Sequence, residues 1–260
     1  MRRLVAVACL VAGLTAAGCG TVPARHYFTL SYPMDQDRVS ASRPALHPVR
    51  LRLKPFKIAL PYDRPQIVYR QSPYEYQYYA YRLWASKPQH MVREIVQAHL
   101  ESARLVEDIS REYGERMPDY ELSAEVLAIE EYDSGDVWYG HLAIRFELTR
   151  FKDKLVIWHY GFDRQRKVHK KQPVFVVRSL SRVLEEEMAR VAAEMDAVLA
   201  AERGVKATLP MPAPADDSRP AEEDGRGDST AETGGPAERN GTGGAKPRGS
   251  DQDLIEPEAN

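Results

Sequence analysis

Three long segments near the middle of the chain alternate apolar and polar residues with a period of two. They span about 119–132, 137–151 and 154–167, and a helical pattern follows at about 173–202. A period of two is typical of strands with one buried face, and the short polar connections between these segments favour antiparallel neighbours. We therefore expect an antiparallel meander with a long helix packed against its apolar face.

Earlier segments predict further strands and a second helix. Strand patterns cover 26–30, 49–53, 56–60, 66–70, 74–81 and 105–109, and a helical stripe covers 87–103. Ser86 and Gln89 have the spacing of a capping box, in which Ser86 would cap the helix and Gln89 would reach back to it. Two helices packed on a mixed, largely antiparallel sheet predict a single α/β (α+β) domain.

Composition separates the predicted domain from the end of the chain. Residues 204–260 contain no aromatic residue and no cysteine, carry twelve acidic and six basic side chains, and are rich in Gly and Pro. Because such a segment cannot bury an apolar core, we expect a disordered acidic tail. The domain is expected at 26–203, which holds every aromatic residue. Its near balance of charge argues against a nucleic-acid partner.

The N-terminus has the pattern of a bacterial lipoprotein signal. A positive start is followed by an apolar run too short to span a bilayer, and small residues precede Cys19. We expect residues 1–18 to be removed as a signal peptide, Cys19 to be acylated, with palmitate among its chains, and residues 19–25 to form a lipidated tether. Several acyl chains would hold the protein permanently on the membrane. Gly20 after the cysteine favours the outer membrane, at its periplasmic face.

The sequence contains none of the short motifs that mark common catalytic or cofactor sites. HExxH, CxxC, GxGxxG, the P-loop and GxSxG are all missing. We therefore predict no enzyme activity, no cofactor and no metal site. The alternative is a secreted hydrolase, whose site would be assembled from His141, His159 and nearby acids in neighbouring strands.

Tyrosines crowd the second strand of a predicted hairpin. They are Tyr74, Tyr76, Tyr78, Tyr79 and Tyr81. Strand alternation predicts three on one face and two on the other. The cluster is typical either of an aromatic-rich hairpin that covers the sheet or of an interface with a partner. It also motivates an alternative function, a lipoprotein that itself binds lipid or another small ligand.

Basic residues are concentrated between the last predicted strand and the long helix. They are Arg164, Arg166, Lys167, Lys170 and Lys171. We interpret this run as a solvated loop, since most charge runs lie on exposed surface. The alternative is a contact with anionic lipid headgroups or with an acidic partner.

One segment carries a resemblance to a known family. Leu60–Arg70 reads LPYDRPQIVYR, and RLWA follows at Arg82–Ala85, before the first predicted helix. Both segments resemble the signature of ABC-type transport auxiliary lipoproteins, the PqiC/YmbA-like family. Tyr27–Leu30 is similar to the early strand of that family, so the resemblance extends over about 26–202. Departures from the family pattern are the inserted Leu83 and a serine, Ser86, where an acidic residue is usual.

The motif residues have a physical interpretation as a corner between two strands. The two prolines, at positions 61 and 65, interrupt strand pairing and fix a bend. We expect Asp63 to cap the turn and Arg64 to pair with a carboxylate. The residues that match the family motif are Asp63, Arg64, Pro65, Gln66 and Trp84. We assign them a structural or interface role and no catalytic one.

The resemblance implies a function in lipid traffic between two membranes. It implies a non-catalytic lipoprotein that works with an MCE-domain protein and ABC transporter components and tethers their complex to the outer membrane. The lipid anchor would provide the membrane contact. The resemblance is also compatible with a homo-oligomer.

Overall fold

The computed structural model describes residues 23–34 and 44–213, which form nine strands and two helices. The strands are β1 (His26–Phe28), β2 (His47–Leu53), β3 (Lys57–Ile58), β4 (Gln66–Ser72), β5 (Glu75–Trp84), β6 (Val106–Ser110), β7 (Tyr120–Asp133), β8 (Trp138–Arg150) and β9 (Val156–Val168). The helices are α1 (Pro88–Ser102) and α2 (Pro173–Arg203), and a 3-10 turn covers Leu60–Tyr62. The predicted single α+β domain with a mixed sheet and two helices is confirmed.

Strand β7 organises the sheet because it is paired on both sides. On one side it runs antiparallel to β8, and β8 runs antiparallel to β9, so the predicted meander is confirmed. On the other side the chain between β2 and β4 runs parallel to β7 in three successive segments. β2 pairs with its beginning, β3 with its middle and β4 with its end. β5 and β1 extend the sheet from β4, and β6 extends it from β2.

The core lies between the sheet and the two helices. Helix α2 packs on β8 and β9, and its apolar stripe is buried. The alternating residues of β8 that share this face are almost fully buried: Leu142, Ile144, Phe146 and Leu148. A Cβ placed on Gly140 would lie 3.1 Å from the Ser179 side chain and 3.2 Å from the Val176 carbonyl oxygen. Only glycine therefore allows α2 to approach β8 so closely at this position.

The predicted capping box of α1 is wrong. The helix begins at Pro88, Lys87 occupies the N-cap position, and no side chain caps it. Gln89 is buried and donates its amide to Asp63 Oδ1 at 3.1 Å, which turns it away from Ser86. The tertiary contact with the 63–65 segment therefore overrides the local capping signal.

The interpretation of the basic run as a solvated loop is also wrong for its first half. Strand β9 continues to Val168, so Arg164 and Arg166 belong to the sheet. Arg164 Nε lies 3.0 Å from Glu187 Oε1, and Arg166 Nη2 lies 2.5 Å from Glu186 Oε2. These arginines join β9 to α2. Lys170 and Lys171 are in the loop and are exposed.

Residues 205–213 form a strap that returns along α2. The helix ends at Gly204, which adopts a left-handed conformation with φ of +66°. Asp196, which is fully buried, accepts the Thr208 and Leu209 amides at one oxygen and His47 Nε2 at the other. Arg190 donates to the Ala213 carbonyl at 2.7 Å. The first part of the segment predicted as tail is therefore held against the domain, and residues 214–260 lie outside the described residues.

Neither α1 nor α2 is long and apolar enough to cross a bilayer, and these are the helices of the described part of the chain. The predicted signal peptide, with Cys19, also lies outside the described residues.

Candidate interaction surface

The family-like segment forms a corner between β3 and β4, in agreement with its prolines. Pro61 opens the 3-10 turn, and the Pro65 carbonyl accepts the Trp84 amide at 2.6 Å. Trp84 is 2% exposed, so it anchors the corner to the core. Gln66 begins β4 and pairs with Leu83 of β5. Pro65, Gln66 and Trp84 therefore join the corner to the sheet and the core.

Asp63 and Arg64 point away from this core. Asp63 occupies the C-cap position of the 3-10 turn, whereas the contact of Arg64 differs from the expected carboxylate pair. Asp63 accepts hydrogen bonds from Gln89 Nε2 and from Lys87 Nζ at 3.2 Å, which together lower the pKa of its carboxyl group. It thereby links the corner to the start of α1. The Arg64 guanidinium lies 3.7 Å from the centre of the Tyr78 ring, in the position of a cation–π contact.

A cluster of buried polar side chains packs against the corner. Tyr62 is 3% exposed and donates its hydroxyl to Glu130 Oε2 at 2.7 Å. Glu130, which is fully buried, also lies 2.7 Å from Arg70 Nη2 and 2.8 Å from His141 Nδ1. Both of its oxygens are therefore paired. Such a buried carboxylate tolerates no loss of a partner, because an uncompensated buried charge is costly.

His141 connects this cluster to the next strand. Its second ring nitrogen, Nε2, lies 2.8 Å from Asp163 Oδ1 on β9. Burial alone lowers the pKa of His141, but hydrogen bonds to Glu130 and Asp163 outweigh it, so the pKa is raised. With a carboxylate at each nitrogen, the ring donates from both. The arrangement spans β7, β8 and β9 and fixes the polar face of the sheet.

Aromatic rings and arginines cover this cluster on the side facing away from α2. The tyrosine–arginine surface consists of Arg64, Arg70, Tyr76, Tyr78 and Tyr132. The Arg70 guanidinium lies 5.0 Å from the Tyr76 ring centre and 6.0 Å from that of Tyr132. Tyr76 also meets Tyr62 edge to face at 5.9 Å, and Tyr76 and Tyr78 remain 39% and 37% exposed. Exposed tyrosines held in place by cations form a preorganised contact surface.

The other tyrosines of the cluster lie elsewhere. Tyr79 is on the opposite face, where it donates to Glu131 Oε1 at 2.8 Å and stacks on Tyr69 at 4.4 Å. Tyr74 is at the tip of the β4–β5 hairpin and is 93% exposed, while Tyr81 is 40% exposed. The five tyrosines are therefore not one patch, and two of them, Tyr76 and Tyr78, belong to the tyrosine–arginine surface.

The sequence prediction missed the polar cluster formed by Arg70 of this surface and the residues beneath it. Tyr62, Arg70, Glu130 and His141 were not identified as a group, since they come from three separate strands and a turn. One signal was available. Glu130 follows the apolar run 126–129 inside a strand, and a charged residue there requires a buried partner.

The two histidines of the hydrolase alternative lie in the same sheet but far from each other. His141 pairs with Gln165, whereas His159 pairs with Glu147, six residues farther along β8. At the rise of a strand this separates them by about 20 Å. His159 is exposed. Within residues 23–34 and 44–213, no group of His, Cys, Asp or Glu could hold a metal ion.

Hollows in the described surface include one with mainly charged walls. One of about 220 Å³ is lined by Lys54, Lys57, Glu125, Arg145 and Glu147, among others. Another of about 150 Å³ lies beside Tyr32 and His99. Lipid chains are held in pockets with apolar walls, so the charged hollow of about 220 Å³ gives no support to the ligand-binding alternative.

Comparisons with known proteins agree with the fold. A family model described as ABC-type transport auxiliary lipoprotein component matches residues 28–192. The crystal structure of protein XCC0632 from Xanthomonas campestris is similar, with 16% identity and a TM-score of 0.57 over 69% of this chain and 98% of that chain. That of an uncharacterized protein shows 17% identity and a TM-score of 0.53 over 66% and 99%. No curated protein sequence matches.

Proposed function

Because this chain belongs to the ABC-type transport auxiliary lipoprotein family, we propose that it is a non-catalytic component of an MCE/ABC-type intermembrane lipid transport system. Acylated Cys19 would fix it to the periplasmic face of the outer membrane. The domain would bind the MCE-domain protein and thereby tether the transport complex. The family match supports the transport role, and the cysteine after the small residues of the signal supports the anchor.

The tyrosine–arginine surface carries the docking part of this proposal. Tyrosine and arginine are enriched at interfaces and among the residues that dominate binding energy. Arg64 belongs to the family-like segment, and its partner Tyr78 is still 37% exposed. The Glu130 cluster fixes Arg70 of the surface and the buried Tyr62 beneath it, so little conformational freedom is lost when a partner binds.

Affinity purification from solubilised membranes tests the docking surface. We expect the full-length protein to recover an MCE-domain protein and an ABC permease, and Arg64→Ala or Tyr78→Ala to reduce that recovery by about tenfold. Tyr81→Ala and Arg145→Ala are matched controls, since both residues are exposed and lie outside the surface. Recovery of neither component by the wild type would refute the proposal, and equal losses in the controls would exclude the surface.

Metabolic labelling tests the anchor separately. The wild type should incorporate labelled palmitate and fractionate with the outer membrane. Cys19→Ala should lose the label and leave the membrane fraction. If Cys19→Ala retains the label, acylation occurs elsewhere and the tether assigned to residues 19–25 is wrong.

A further inference from the structure

We propose that one end of the sheet rests on an anionic phospholipid surface. This loop end consists of the β4–β5 hairpin tip with Tyr74, the β7–β8 turn with Gly135 and Trp138, and the β9–α2 loop with Lys170 and Lys171. The proposal rests on the acyl anchor at Cys19 proposed above. It adds a second contact, made by the folded domain itself, and therefore an orientation of the domain on the bilayer.

The three loops of the loop end form one continuous surface. Arg70, near the tip of the hairpin, pairs with Tyr132 near the end of β7. An open hollow of about 570 Å³ joins them, lined by Gln71, Tyr132 and Gly135 among others. On the other side of the turn, Lys171 Nζ donates to the Gly135 carbonyl. Hairpin tip, turn and β9–α2 loop therefore follow one another along a single edge.

The direction of β1 brings the N-terminus to the same edge. β1 runs parallel to β5, with His26 beside Arg82, and the hairpin tip lies at the start of β5. The chain that precedes His26 therefore enters the sheet from the side of the loop end. The distance along β5 from Arg82, beside His26, to Glu75, at the hairpin tip, is seven residue steps, or about 23 Å.

The length of the tether matches this distance. Six residues lie between Cys19 and His26, and the seven Cα-to-Cα steps of an extended chain span at most about 25 Å. An acyl group on Cys19 can thus reach the level of the hairpin tip and hardly farther. When the acyl chains are in the bilayer, the loop end is the part of the domain nearest the headgroups.

The side chains of the loop end suit that environment. Tyr74 is 93% exposed and Val174 is 45% exposed. The Lys170 ammonium lies 5.2 Å from the Phe175 ring centre, and that of Lys171 lies 6.0 Å from the Trp138 ring centre. Aromatic rings prefer the headgroup region, and each lysine near an anionic surface adds to the attraction.

The acids of the loop end are Glu75, Asp133 and Asp136. Asp133 accepts the Gly135 amide within its own turn. The three acids outnumber the two lysines, so the attraction depends on the local pair Lys170 and Lys171 together with the exposed Tyr74 ring, and it should weaken as salt is raised. A bilayer with anionic headgroups is favoured over a protein partner because the acyl anchor leaves this end so close to the membrane.

The natural cysteines make a depth measurement straightforward. The chain has two, Cys9 and Cys19, and after processing and acylation neither provides a free thiol. We would place one fluorophore on Tyr74→Cys or Lys170→Cys of the acylated full-length protein, with Lys152→Cys in the β8–β9 turn as the control at the opposite end. The vesicles contain phosphatidylcholine, phosphatidylglycerol and a headgroup-nitroxide lipid that quenches nearby fluorophores.

We expect strong quenching at positions 74 and 170 and little at 152. Adding Lys170→Glu and Lys171→Glu to Tyr74→Cys should reduce the quenching toward the level of position 152, whereas Lys54→Glu with Lys57→Glu should not. Equal quenching at both ends would overturn the proposal. The proposal would also be overturned if Lys170→Glu with Lys171→Glu left the quenching at position 74 unchanged but abolished recovery of a protein partner. Intact mass reports acylation independently, so a missing acyl group identifies failure of the anchor itself.

Discussion

Two consecutive glutamates of β7 show how different two buried carboxylates can be. Glu130 faces the polar side of the sheet, where Tyr62, Arg70 and His141 occupy both of its oxygens. Glu131 faces the helices and is 1% exposed, but it has one donor, the Tyr79 hydroxyl. Its Oε2 atom has no hydrogen-bond partner. Burial therefore dominates and raises the pKa of Glu131 to about 7, although Tyr79 and Arg82 oppose the shift.

This raised pKa predicts a pH dependence of stability. The native state holds the Glu131 proton more tightly than the unfolded chain, so the stabilisation is fully present below the ordinary pKa of 4.5 and is lost as the pH rises to about 7. The free energy of unfolding should fall by about 3 kcal/mol across that window. Glu131→Gln should remove most of this fall, since a neutral amide still accepts the Tyr79 hydroxyl.

Urea unfolding between pH 4.5 and 8 measures this effect. Glu125→Gln is the control, because Glu125 is 41% exposed beside Arg145 and should leave the wild-type slope in place. An unchanged slope in Glu131→Gln would mean that another group binds the proton.

The residues of the family-like segment show that a local bend could be predicted from the sequence but its side-chain contacts could not. The prolines predicted the corner, since proline has no backbone N–H to donate to a neighbouring strand and fixes its own φ angle. The carboxylate expected as the partner of Arg64 was wrong, because β5 brings Tyr78 to it, and no local pattern encodes that approach or the approach of Gln89 to Asp63.

At the scale of elements, the helix-to-sheet packing depends on one small residue. Gly140 of β8 faces Ser179 and Val176 of α2, and an added Cβ would lie about 3.1 Å from the nearest atoms. Gly161 of β9 offers a matched comparison. There the nearest atom, the Ile144 carbonyl oxygen, is 3.8 Å away, which is an ordinary contact.

Gly140→Ala should therefore destabilise the domain by about 1–3 kcal/mol, because the strand and helix must separate slightly. Gly161→Ala should change the free energy of unfolding by less than about 1 kcal/mol. Thermal or urea unfolding of the two variants provides the comparison. Equal effects would show that strand propensity, rather than the α2 contact, decides the outcome.

Most elements could be predicted from the sequence, whereas their pairing could not. The period of two in β7, β8 and β9 and the apolar stripe of α2 are local signals, and the turns between the three strands are short. The parallel run of β2, β3 and β4 along β7 has no local signature. The parallel pairing depends on how the corner at 63–65 and the helix α1 pack in the folded chain, and these contacts are not local in sequence.

At the scale of the whole molecule, the end of the folded part differs from the compositional boundary. Composition places the boundary at Gly204, where glycine and proline become frequent. The strap formed by 205–213 extends the folded part because Asp196 binds the Thr208 and Leu209 amides. Burial alone raises the pKa of Asp196, but these amides and His47 outweigh it and lower the pKa.

Two truncations test this boundary. Removal of residues 214–260 should leave the unfolding midpoint unchanged. Removal of 205–260 should cost about 1–3 kcal/mol, because the buried Asp196 carboxylate loses two donors. Hydrogen exchange at the remaining residues of α2 provides a second measurement. If both truncations are equally stable, the strap contributes nothing and the boundary at Gly204 is the right one.

The pairing of β7 on both of its sides affects how the protein folds as it is synthesised. Its antiparallel partner, β8, follows it directly in the chain, but its parallel partners lie about sixty to seventy residues earlier. As the chain is synthesised, β4 can pair with β5 and β2 with β6, but β2, β3 and β4 have no β7 to pair with until it follows. The meander can form quickly from local contacts, whereas the parallel side closes late. Variants that slow this closure should aggregate during biogenesis even when the finished domain is stable.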